Sequence, residues 1–220
     1  MESPLCPPGT RLIETLLWDG TTLVRRERHL ARARASAAAL GFRWDEETVR
    51  AALTGARGPA PLRVRLTFGR DGDVEMTTAP LPPTAAEWRV TLASDRLDPA
   101  DPFLRHKTTQ RARYDAARAA LPEGIDEVIF ANSRDEICEG TITNVFFDRG
   151  DGLCTPPLAS GVLPGVLRAE LIATGSCREA PLPVTDLAHV RLWVGNSLRG
   201  LIRAQFVQPS QSQVRARPRG

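Results

Sequence analysis

Two adjacent prolines, Pro82-Pro83, set within residues 80–86, constrain this chain more than any other feature. Proline fixes φ and has no N–H to donate, so this stretch forms no interior strand or helix and separates the N-terminal residues from the C-terminal ones. A chain of 220 residues can bury one large core or two small ones. We therefore expect a small N-terminal domain at 1–79, a linker at 80–87, a larger domain at 88–207 and a frayed polar tail at 208–220, which contains Pro209 and Pro218.

Periodicity fills in the elements. Residues 11–17 and 21–24 flank Asp19-Gly20, a hairpin signal between apolar runs. In residues 27–40, Leu30, Ala33, Ala37 and Leu40 recur at helical spacing and Gly41 stands at the C-terminal stop. Asp45 is an N-cap for a second helix over 46–53. Residues 62–76 alternate about Gly69-Arg70-Asp71-Gly72, with Val64, Leu66 and Phe68 on one face and Arg63, Arg65 and Thr67 on the other. After the linker we expect strands at 88–93, 127–131, 142–147 and 153–155, helices at 108–121 and 165–174, and a final strand at 190–194.

Several function classes fall away on composition. No apolar run reaches the roughly 20 residues of a membrane span, and the N-terminus lacks a signal-peptide pattern, so a cytoplasmic protein is expected. Cys6, Cys138, Cys154 and Cys177 are far apart with no CxxC pair, which points to free thiols and no metal site. A formal net charge of +3 with scattered arginines is not the footprint of a nucleic-acid binder. His29, His106 and His189 are isolated and read as structural.

The basic residues themselves are unusual: 28 arginines and a single lysine, Lys107. Arginine can replace lysine as a solvated charge, but not as an amine that must lose its proton to act as a nucleophile. Chance survival and function are both open on this count alone. Lys107 stands where an extended segment, 103–107, runs into the expected helix at 108, and a helix N-terminus would push its amine toward the neutral form.

Three other motifs could do chemistry. Glu139 lies among small and apolar residues, 137–144, and needs a cationic partner, either an arginine or a protonated ring nitrogen. Residues 160–168, Ser-Gly-Val-Leu-Pro-Gly-Val-Leu-Arg, form a Gly- and Pro-containing entry to a helix whose free N–H groups suit a phosphate, although such loops are also common without one. Gly195-Asn196-Ser197 ends a strand in small polar donors, as an ordinary turn also would.

Taken in order, residues 13–16, the segment Glu27-Arg28-His29-Leu30-Ala31-Arg32, the Lys107 segment, 139–144, 155–157, 163–168 and 195–197 resemble the class IV aminotransferase family, the fold-type IV pyridoxal 5'-phosphate (PLP) enzymes. The resemblance implies an α+β fold of two domains, a small N-terminal α/β sandwich and a larger C-terminal pseudo-barrel of strands with surrounding helices that binds PLP. It implies Lys107 as Schiff-base lysine and proton carrier, and Glu139 as partner of the pyridine nitrogen. Arg32 matches the phosphate-binding arginine, with Val166 and Leu167 offering backbone N–H groups and Asn196 or Ser197 completing the cup.

Within the family, His106-Lys107-Thr108-Thr109 with Arg111 and Tyr114, and residues 196–200, are most similar to the 4-amino-4-deoxychorismate lyases of folate biosynthesis. Branched-chain members carry a tyrosine five residues after the lysine, where this chain has Ala112. The resemblance thus implies release of pyruvate and 4-aminobenzoate from a small-molecule substrate, in a homodimer, with no metal, membrane or nucleic-acid partner. Arg63 matches a substrate-side arginine in relatives, and also reads as an exposed strand charge. The alternatives are a transaminase for branched-chain L- or D-amino acids and, from a different class, a non-catalytic PLP-binding or nucleic-acid-binding module.

Overall fold

The computed structural model describes residues 6–208; the last part of the expected tail, 209–220, lies outside the described residues. The first unit is a three-stranded antiparallel sheet in the order β1 (Leu12–Trp18), β2 (Leu62–Phe68), β3 (Val74–Pro80), covered by α1 (Arg26–Leu40) and α2 (Glu46–Leu53). Leu12, Leu16, Val64, Leu66 and Phe68 meet Leu30, Ala33, Ala37 and Leu40 in one core. Each large apolar side chain buried there contributes about 1.5–3 kcal/mol. The caps are those expected: Asp45 accepts from the N–H groups of Glu47 and Thr48, and Gly41 ends α1 with φ 71°.

The second unit is an eight-stranded sheet in the order β10 (Arg191–Asn196), β11 (Gly200–Phe206), β4 (Glu87–Leu97), β5 (Glu127–Asn132), β6 (Ile137–Gly140), β7 (Asn144–Asp148), β8 (Leu153–Thr155), β9 (Arg178–Glu179). Pairing of β10 with β7 closes six of these strands into a barrel-like cylinder. Its interior is filled by Val90, Ile129, Ala131, Val145, Phe147 and Val194 among others. On the outside, α3 (Ala112–Ala119) covers Val128 and Phe130, while α4 (Val166–Ala173) packs against β10. The α+β architecture of a small layered unit and a barrel-like unit is the one expected.

Three local expectations are corrected. Residues 21–24 form no second strand, only an isolated bridge from Leu23 to Trp18. The free edge of β1 is occupied instead by the Lys107 segment, where the Ile13 N–H donates to Lys107 O at 2.8 Å and the Thr109 N–H to Arg11 O at 2.9 Å. That same pairing holds 107–109 extended, so the helix expected from 108 begins only at Ala112. The strand at 191–196 is not the last: β11 comes after it, parallel to β4, and supplies a stave of the barrel.

Contacts to the Lys107 segment and to α4 join the two units. Arg25 Nε lies 2.5 Å from Glu170 of α4, its Nη1 donates to Ser197 O, and Arg32 Nη1 donates to Pro164 O. Between the units lies a cavity of about 780 Å³.

Candidate active site

Lys107 lines this cavity, half-buried, and no described carboxylate stands within ion-pair distance of its Nζ. Burial first, then the Arg32 and Arg111 guanidiniums, lower its ammonium from 10.5 to about 8; Glu14 and Glu139 oppose them only in part. The helix end invoked from the sequence is not the cause, because α3 begins five residues later. An amine with that pKa is about one-tenth neutral at pH 7, against a few parts in ten thousand for a free lysine.

Across the cavity, Glu139 projects from β6 and is 6% exposed. The Tyr114 hydroxyl donates to one carboxylate oxygen at 2.7 Å and the Leu163 N–H to the other at 2.9 Å. No described arginine pairs with it. Burial outweighs these hydrogen bonds and the charges of Lys107 and Arg111, holding the carboxyl at about 7. A buried acid without a cation, facing an amine without an anion, is a pair awaiting a ligand that carries both complements. Burial and the Glu139 charge push the Tyr114 hydroxyl well above its usual range, so it remains a donor.

The third part is a cup at the entry to α4. Arg32 makes a bidentate pair with Glu14, Nε to Oε1 at 2.9 Å and Nη2 to Oε2 at 2.7 Å. Glu14 Oε2 also accepts from His29 Nδ1 at 2.6 Å, and His29 Nε2 lies 2.8 Å from Ser197 Oγ. Burial would raise the Glu14 carboxyl, but Arg32 and then His29 bring it down to about 2, so it is an anion at neutral pH. Val166 lines the cavity beside Gly165, and the N–H groups of Val166 and Leu167 belong to the first helical turn, which has no intrahelical acceptor. Leu167 is buried with its side chain against Gly195. The Asn196 amide closes the β10–β11 turn, donating to Ile142 O and accepting from the N–H groups of Leu198 and Arg199, which leaves the Ser197 hydroxyl as the side-chain group at this end.

The loop between β6 and β7 is shaped by a second buried acid, Glu127, which accepts from the N–H groups of Thr141 and Ile142 and from the Thr143 hydroxyl. Gly165 is needed for space: a Cβ there would lie 1.7 Å from Asn144 Oδ1, whose amide is held by Leu163 O. Gly165→Ala is expected to destabilise the fold by about 1–3 kcal/mol. It should also disturb the Leu163 contact to Glu139, visible together as a lower unfolding midpoint.

Arg63, on the face of β2 away from the core, is exposed at the cavity rim. Sequence reasoning gave no site role to Glu14, His29, Tyr114 or Glu127, although Tyr114 stood in the lyase-like pattern and His29 was read as structural. A signal existed for the first two. Glu14 is a lone acid between Leu12 and Leu16, and His29 stands three residues before Arg32 on one face of α1.

A family model described as amino-transferase class IV matches residues 11–205. A candidate aminodeoxychorismate lyase of Schizosaccharomyces pombe is 33% identical over 178 residues, 77% of this chain and 76% of that protein. Among solved structures, a candidate amino-acid aminotransferase of Mesorhizobium loti is 50% identical with a TM-score of 0.83, covering 90% of this chain and all of the other. The 4-amino-4-deoxychorismate lyase of Pseudomonas aeruginosa shares the fold at 22% identity, with a TM-score of 0.74 over 93% and 90% of the two chains.

Proposed function

The chain belongs to the amino-transferase class IV family, and from that premise we propose that it is a PLP-dependent 4-amino-4-deoxychorismate lyase, converting its substrate to pyruvate and 4-aminobenzoate. The observation that carries the cofactor reading is the unpaired Lys107 amine facing the cation-free Glu139 carboxyl in one cavity. The donor set fits the group at each end. Lys107 Nζ would hold the carbonyl carbon, Glu139 the ring nitrogen, and Arg32, Ser197 and the backbone N–H groups of Val166 and Leu167 the phosphate. When bound, PLP supplies a carbonyl for the substrate amine and a protonated ring that accepts electrons as a bond to the amine-bearing fragment breaks.

The chain's own residues do the rest. With a pKa of about 8, Lys107 Nζ can take a proton and return it near neutral pH. Tyr114 and the Leu163 N–H orient Glu139 and keep both its oxygens in place. Glu14 and His29 fix the positions of Arg32 and Ser197 at the phosphate end of the cavity. Leu97 and Leu104, both buried, contribute apolar surface to the cavity lining. Arg63 at the rim is a candidate for a substrate carboxylate.

The lyase assignment is supported by the S. pombe relative and by Ala112, which stands where branched-chain members carry tyrosine. A second reading, an amino-acid transaminase, is favoured by the name of the M. loti structure. Incubating the holoenzyme with aminodeoxychorismate, and separately with an amino acid plus 2-oxoglutarate, separates them. We expect 4-aminobenzoate in the first; amino-group transfer in the second with no 4-aminobenzoate would reject the lyase. The reading includes a homodimer, checked by sedimentation, and a cytoplasmic setting, which the free thiols among the described cysteines favour.

Glu139→Gln tests the ring-nitrogen role. Glutamine keeps the shape but cannot carry the negative charge, so turnover is expected to fall about 10²-fold or more, while cofactor is still captured on Lys107. Unchanged turnover would remove Glu139 from this role.

A further inference from the structure

Of the three histidines, only His29 has both ring nitrogens bound to side chains. Its Nδ1 lies 2.6 Å from Glu14 Oε2 and its Nε2 2.8 Å from Ser197 Oγ, in a residue 1% exposed. Glu14 is an anion, and a carboxylate has no hydrogen to donate, so Nδ1 carries the hydrogen of that contact in every state of the ring. The other nitrogen then decides what Ser197 does. On a neutral ring Nε2 is an acceptor, the single hydrogen of the Ser197 hydroxyl points at it, and only oxygen lone pairs are left for the cavity. On an imidazolium Nε2 donates, and the Ser197 hydrogen is released toward the cavity that both residues line. A phosphate dianion, which only accepts, is served by the second arrangement and repelled by the first.

The charges around the ring point the same way. Arg32 of α1 is bound bidentately by Glu14 of β1, so the two sum to zero. Arg25, whose Nη1 donates to Ser197 O from the start of α1, is paired with Glu170 of α4. Among the described residues no other charged group is hydrogen-bonded to His29, Glu14 or Ser197. Lys107 lines the same cavity, and under the cofactor reading its amine serves the carbonyl carbon and not the phosphate. An anion of charge near −2 entering a cup that sums to zero favours uptake of a proton beside it.

We propose that His29 takes up a proton when the cofactor phosphate binds, reversing its hydrogen bond to Ser197 and turning the Ser197 hydroxyl into a phosphate donor. The coupling rests on the cofactor-site reading and makes His29 a positioning residue that acts through Ser197. One proton from solvent forms one N–H bond on Nε2, and no covalent bond of the chain breaks. Because the loaded form then holds one proton more than the free form, phosphate binding weakens as pH rises, by up to about tenfold per unit. That sign is opposite to the one for Lys107, whose reactive neutral amine gains with rising pH.

The test reads the ring directly and requires no turnover. With three histidines in the chain, nitrogen NMR of protein labelled at histidine gives few enough signals to assign His29 by comparison with His29→Gln. His106→Gln and His189→Gln assign the other two, so the result does not depend on His29→Gln folding. At pH 8 we expect His29 to be neutral with its hydrogen on Nδ1 in the cofactor-free protein, and imidazolium in the PLP-loaded protein. Titration calorimetry uses pyridoxine 5'-phosphate, which has no aldehyde for Lys107, in buffers of different ionisation enthalpy. The wild type should take up about one proton more than His29→Gln, with an affinity that falls up to about tenfold more steeply per pH unit. Ser197→Ala, which removes the hydroxyl between ring and phosphate but not the Glu14 contact, should leave His29 neutral after loading. A ring that stays neutral in the loaded wild type, one that is already imidazolium without cofactor, or one that is still protonated on loading in Ser197→Ala overturns the coupling. Absence of the visible band after incubation with PLP would instead reject the cofactor-site reading, and the coupling with it.

Discussion

Lys107→Arg protein is expected to fold with near-wild-type thermal stability and to lose about 10³-fold or more of its turnover. Guanidinium keeps the positive charge but does not shed its proton, so it can neither form the covalent link to a carbonyl nor carry a proton near neutral pH. Borohydride reduction of the wild-type holoenzyme followed by peptide mapping should place the reduced cofactor on Lys107, and the variant should show neither the adduct nor the visible band. More than about a tenth of wild-type activity in the variant, or an adduct elsewhere, would defeat the assignment. The pH dependence has a definite sign. Neutral amine is the reactive form, so capture of PLP by the cofactor-free protein should accelerate as pH rises toward about 8 and then level off. A lysine near its ordinary 10.5 would still be accelerating there.

Glu14→Gln carries the largest expected stability loss. It leaves Arg32 with 11% of its side chain exposed, and fully buried His29, without the anion that both bind. Removing one partner from such a buried group costs about 3–5 kcal/mol, or roughly 10 °C in unfolding midpoint for a chain of this size. Phosphate retention should weaken with it, since Arg32 and the His29–Ser197 contact lose their common anchor. Wild-type stability should also fall in acid in a way the variant does not share. The folded Glu14 carboxyl sits at about 2 against 4.5 for a free one, so the folded chain holds fewer protons than the unfolded chain between those values. Its contribution is complete above pH 4.5 and is lost as pH falls toward 2. Glu139 acts with the opposite sign, being raised to about 7, so in the cofactor-free protein its contribution declines as pH rises from 4.5 to 7. Differential scanning calorimetry of wild type and Glu14→Gln across pH 2–7 checks both; parallel curves below pH 4.5 would remove Glu14 from this role.

What the amino-acid order determined by itself is whatever depends on near neighbours. Helix α1 arises from apolar residues at three- and four-residue spacing and the glycine after it, α2 from the Asp45 cap, and the β2–β3 hairpin from strict alternation about a Gly-containing turn. The uniqueness of Lys107 and the isolation of Glu139 among small residues singled out two residues that the structure places in one cavity. Contacts between distant residues decided the rest. β1 could have paired with the residues just after it, but β2 and the Lys107 segment took its two edges, and that competition moved the start of α3 to Ala112. His29 and Ser197 meet across 168 positions, and Tyr114 reaches Glu139 across 25. Arg199, which the sequence placed only within the 196–200 segment, lines the same cavity as Arg63 because β10 closes the barrel against β7. Periodicity reports which face of an element is apolar; which faces then confront one another is set by sheet closure and burial, and no local pattern encodes that.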